Sequence, residues 1–87
     1  MAWGRRDERP ALERALEAAS GLKAGGWSSV EALAMLSIET QGRSEAQSLY
    51  TTARQASAGL AAGTWESVRA LTWLARARRE LGLNPED

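Results

Sequence analysis

The sequence predicts an all-α domain of four antiparallel helices built as two α-hairpin repeats, and three observations carry that expectation. Seventeen alanines and eleven leucines stand against two valines, one isoleucine and two prolines in 87 residues. Such side chains lose little rotamer freedom in a helix. Glycines at 21, 25, 26, 42, 59, 63 and 82 cut the chain into segments of helical length. Finally, Ala15 to Leu36 aligns with Ala53 to Leu74 at a constant offset of 38 residues. Within that stretch Gly21, Leu22, Ala24, Gly25 and Trp27 recur as Gly59, Leu60, Ala62, Gly63 and Trp65. The register continues through Ser29, Val30, Ala32 and Leu33, which recur as Ser67, Val68, Ala70 and Leu71. A two-helix period of this length marks α-hairpins that cannot bury their apolar faces alone.

Helix 1 is expected from about Pro10 to Ser20, with the proline tolerated in the first turn and Leu12, Ala15, Ala19 and Leu22 on one face. Helix 2 is expected from Trp27 or Ser28 to Thr40, where Ser28 and Glu31 have capping-box spacing and Gly42 ends the segment. Helix 3 should begin near Ser44, carry Ala46, Leu49, Tyr50, Ala53 and Leu60 at helical intervals, and stop at Gly59. Helix 4 opens with Thr64 as N-cap and runs to Leu81, with Gly82 as C-cap and Pro85 beyond it. The whole chain, 1–87, reads as one domain with repeats at about 9–43 and 44–82 and loose termini at 1–8 and 84–87.

Residues 27–60 resemble a tetratricopeptide-like unit. Leu33-Ala34 in the first helix and Ala46, Tyr50 and Ala53 in the second match the family's pattern of small residues around a large aromatic. Val30 stands where that family has Trp, Ser37 replaces an aromatic, no proline closes the unit, and Ala61 to Thr64 stretch the period to 38. The resemblance implies one full unit flanked by an orphan second helix (helix 1) and an orphan first helix (helix 4). It also implies a scaffold that binds peptides or assembles with copies of itself. Two hairpins are fewer than the roughly three repeats such a stack needs, so the chain either closes into a compact bundle or completes itself against a partner.

The absence of cysteine and histidine excludes disulfides, thiolate chemistry, imidazole bases and the usual zinc sites. No enzyme and no cofactor are expected, since most of the eleven carboxylates fall singly on outer faces and Tyr50, the lone phenol, reads as a packing residue. Eleven basic residues balance eleven acidic ones, which argues against a global field that draws nucleic acid or anionic membranes. No stretch has the roughly 20 apolar residues of a membrane span, and the expected setting is cytoplasmic.

Periodicity assigns Val30, Ala32, Leu33 and Leu36 of helix 2 to the core, with Val68, Ala70, Leu71, Leu74, Ala77 and Leu81 of helix 4. Met35, Ile38 and Trp73 fall outside these arcs, on an outer face shared with Glu31, Arg69, Arg76 and Glu80. An apolar strip flanked by arginines marks a contact surface, so Met35, Ile38, Arg69, Trp73 and Arg76 are the expected partner-binding residues. The partner is another protein or a second copy, in a homo-oligomer whose register Glu31 and Arg69 of different copies would set. The competing reading buries the strip under the other helices or the tail carrying Trp3, and the exposure of Trp73 decides between them. Trp27 and Trp65 read as plugs closing the end of the bundle. A nucleic-acid accessory protein using Arg69, Trp73 and Arg76 is the alternative function, disfavoured by Glu66, Glu80 and the zero net charge.

Overall fold

The computed structural model describes residues 8–83 and is all-α, with helices α1 (Ala11–Ser20), α2 (Trp27–Glu39), α3 (Glu45–Ala58) and α4 (Trp65–Glu80). Trp3, Pro85 and nearly all of the expected loose termini lie outside the described residues. The four expected helices are present, with ends shifted by a residue or so, because the punctuation is local chemistry. Thr64 caps α4 by accepting the Ser67 amide at 3.1 Å. At the other end Gly82 has φ +71°, the left-handed region glycine favours, while the Leu83 amide reaches the Arg78 carbonyl and the Gly82 amide reaches Arg79. That pair of bonds is a Schellman closure of the last turn.

The start of α2 departs from expectation. Its N-cap is Gly26, and Ser29 takes the role expected of Ser28 and Glu31: its hydroxyl accepts from the Gly25 and Gly26 amides at 3.1 Å and donates to the Gly26 carbonyl at 2.7 Å. Ser67 makes the same three bonds before α4, to Gly63, Thr64 and the Thr64 carbonyl. Positions 29 and 67 are therefore equivalent in geometry as well as in residue type.

Helix α2 occupies the centre, packing closely on both α3 and α4, whereas α3 meets α4, and α1 meets α2, over shorter stretches. Contacts at both ends show that α2 and α4 lie side by side and run in the same direction. Glu31 pairs with Arg69 near the starts, and the Gln41 side-chain amide donates to the Glu80 carbonyl near the ends.

Small residues make this closeness possible. Of the eight buried apolar residues among those described, five are alanines: Ala34, Ala46, Ala53, Ala70 and Ala77. Val30, Tyr50 and Leu74 supply the bulk between them. Helices approach when no side chain holds them apart, and dense packing then supplies the attraction. Three hydroxyls are buried in the same region without loss of hydrogen bonding. Ser37 donates to Ala34 O at 2.7 Å, Thr40 to Leu36 O at 2.8 Å, and Ser67 to Thr64 O. Each satisfies itself within its own helix or cap and so demands nothing from a neighbour.

The buried arcs differ from those expected by periodicity. On α2 the buried residues are Val30, Ala34 and Ser37, while Ala32 is exposed and Leu33 and Leu36 are half-buried. On α4 they are Ser67, Ala70, Leu74 and Ala77, while Val68 and Leu71 are exposed and Leu81 is half-buried. Helix α1 buries no residue fully: Leu12, Leu16 and Ala19 are half-buried, and Ala15 and Leu22 are exposed. The physical reason is the central place of α2. A helix with neighbours on several sides turns by contact geometry, and α4 presents to it only the arc that fits.

Candidate interaction face

The five expected partner-binding residues are divided by the packing of α4 on α2. Ile38 and Trp73 are half-buried and pack against the core. Met35 remains exposed at 41%. Arg69 donates from Nε to Glu31 Oε1 at 3.0 Å within the same chain. Arg76 lies over the Trp73 ring, 5.7 Å from its centroid, and 3.9 Å from Glu80. The cation–aromatic face considered for nucleic acid is thus occupied from within, by one of its own arginines and by two glutamates.

The two tryptophans at the helix starts part company. Trp27 is half-buried, packs on the core, and donates from Nε1 to the Ala61 carbonyl at 3.1 Å, closing the end of the α2–α3 hairpin as a plug should. Trp65 is 85% exposed and closes nothing. Around it on α4, Val68 is 52% exposed and Leu71 39% exposed. At three-residue spacing these side chains lie along one side of the helix. Large apolar residues grouped in this way on a surface are the mark of a contact site. Trp65, Val68 and Leu71 were hidden from periodicity because each also fits a core arc. The signal that exposes them is positional: among the described residues no helix lies on α4 as α3 lies on α2.

A groove of about 680 Å³ lies between α1 and α3, lined by Leu16, Leu33 and Leu49 together with Glu13, Glu17 and Glu45. Two of these carboxylates are paired, Glu13 with Arg43 at 2.9 Å and Glu17 with Arg9 at 2.5 Å. Among the described residues no group of three or more acidic side chains could hold a metal ion, and no described helix is long and apolar enough to cross a membrane. No protein-family model matches this chain, and no curated protein and no solved structure matches it either.

Proposed function

We propose that this protein is a non-catalytic interaction module that docks a helical protein partner on the bare apolar face of α4, centred on Trp65, Val68 and Leu71. The observation that carries this reading is the exposure of Trp65, 85%, at the position where its counterpart Trp27 is packed and hydrogen-bonded. Exposing an indole costs the hydrophobic stabilisation its burial would bring, about 2–3 kcal/mol. Tryptophan is also the residue most enriched among the few that dominate binding energy. Helix α2, which carries Trp27, Val30 and Leu33 at the equivalent positions, packs on α3, and this supports a helix as the occupant. Met35, exposed on α2, is not part of this face of α4.

The test is site-specific photo-crosslinking from Val68 in living cells, with Gln47 on the outer side of α3 as control. Capture of a protein from Val68, absent from Gln47 and abolished by Trp65→Arg, is the expected result. Equal capture from both positions, or none from Val68, overturns the reading.

A further inference from the structure

Resting on that reading, we infer that the occupant of the α4 face is a second copy of this chain, whose α1 and α2 add to α4 as α3 and α4 add to α2. Helices α2 and α4 carry two sets of repeat-equivalent positions, and the described residues bury opposite sets on the two helices. On α2 the satisfied face is Trp27, Val30, Ala34 and Ser37, all buried or half-buried. Its counterparts 38 residues on, Trp65, Val68, Thr72 and Ala75, are all exposed. On α4 the satisfied face is Ser67, Ala70, Leu74 and Ala77, all buried. Its counterparts on α2 are less covered: Ala32 and Glu39 are exposed, and Ser29 and Leu36 are half-buried. Ser29, Ala32 and Leu36 are identical in type to Ser67, Ala70 and Leu74, and the last position alone departs, with Glu39 in place of Ala77. The described residues therefore leave uncovered, on α4 and on α2, the two halves of a contact that the chain already makes internally.

Helix α1 supplies the remaining piece. It aligns with α3, Ala15 with Ala53, Ala18 with Ala56 and Leu22 with Leu60. Leu60 packs against the core, whereas Leu22 is 74% exposed. Placed on α4 as α3 is placed on α2, the α1 of a second copy brings Leu22 to the bare face. The Lys23 carbonyl, at the position of Ala61, then accepts from the Trp65 indole as Ala61 does from Trp27.

Charge agrees with the same translation. Glu31 and Arg69 occupy equivalent positions and pair inside the chain. At a junction, Arg69 of one copy faces Glu31 of the next, so acid and base alternate along the stack. Two like charges at these positions would have opposed it. The interface is heterologous, one end binding the other, so it yields open stacks or a ring and no simple two-fold dimer.

Sedimentation of the full chain over a concentration series tests this. The expected result is a mass that climbs past the dimer, or settles on a ring, with Trp65→Arg and Leu22→Arg each weakening association about 30-fold or more, the range of interface hot spots. Both residues are exposed, so both variants keep their helicity in circular dichroism. The decisive sample mixes the two variants: each retains one good end, and the mixture forms a one-to-one dimer that grows no further. A dimer abolished by Trp65→Arg but indifferent to Leu22→Arg is a symmetric α4 pair and overturns the head-to-tail arrangement. A monomer at every concentration overturns the second copy as occupant. In that case capture of a different protein from Val68 leaves the interaction module standing, while absence of any capture removes both.

Discussion

The Arg69 guanidinium Nε lies 3.0 Å from Glu31 Oε1, joining α4 to α2 through residues 38 positions apart, the offset at which the two halves of the sequence align. Because Arg69 remains 64% exposed, water screens the pair and its worth is small. Glu31→Gln and Arg69→Gln should each change unfolding free energy by less than about 0.5 kcal/mol, and a double-mutant cycle should return a coupling of about 0.5 kcal/mol or less. A coupling well above 1 kcal/mol would show that the pair holds the helices together and does more than fix their register.

The two equivalent tryptophans should respond unequally to truncation. Trp27→Ala removes core packing and an indole hydrogen bond and should cost about 2–3 kcal/mol in denaturant unfolding. Trp65→Ala, at 85% exposure, should stay within about 0.5 kcal/mol. Equal losses at a concentration where the chain is monomeric would mean that Trp65 is packed within its own chain.

Close approach through alanine makes the core intolerant of added volume. Ala34→Leu and Ala53→Leu, each at a fully buried position, should destabilise by about 1–3 kcal/mol although leucine is more apolar than alanine. Ala32→Leu, one turn face away and exposed, should be close to neutral. A thermal melt of the three variants separates packing from hydrophobicity.

The helix ends offer a sharper check of local chemistry. Thr64→Ala should cost about 1 kcal/mol by orphaning the Ser67 amide, and Gly82→Ala about 1 kcal/mol by forcing a β-carbon into a positive φ. Ser28→Ala should cost almost nothing, since Ser29 carries the cap of α2. Chemical denaturation midpoints decide the ranking.

Helix number and ends were legible in the sequence because glycine, Pro10 and Thr64 act through their own backbone or hydroxyl, independent of what lies across the fold. The cap of α2 was legible too, but only through the alignment: Gly26 and Ser29 match Thr64 and Ser67, whereas Ser28 and Glu31 have the right spacing and no equivalent in the second half. Core assignment failed where α2 is apolar nearly all round, since Trp27, Val30, Ala32, Leu33, Ala34, Leu36 and Ile38 leave the centre of the buried arc undefined. Trp73 and Ile38 look like outer residues on isolated helical wheels, yet in the assembled chain both pack against the core. Periodicity describes one helix at a time; which helices become neighbours is a property of the assembled chain.

Helix α1, which buries no residue fully and is joined to α2 through a glycine-containing loop, stands at the low end of the molecule's local stability. Its opening exposes little new apolar surface, so its amides should exchange with solvent through fluctuations far cheaper than global unfolding, while those of α2 wait for the whole domain to open. A hinged arm of this kind can serve as a reporter. Any partner that clamps it slows its exchange first, long before the core responds.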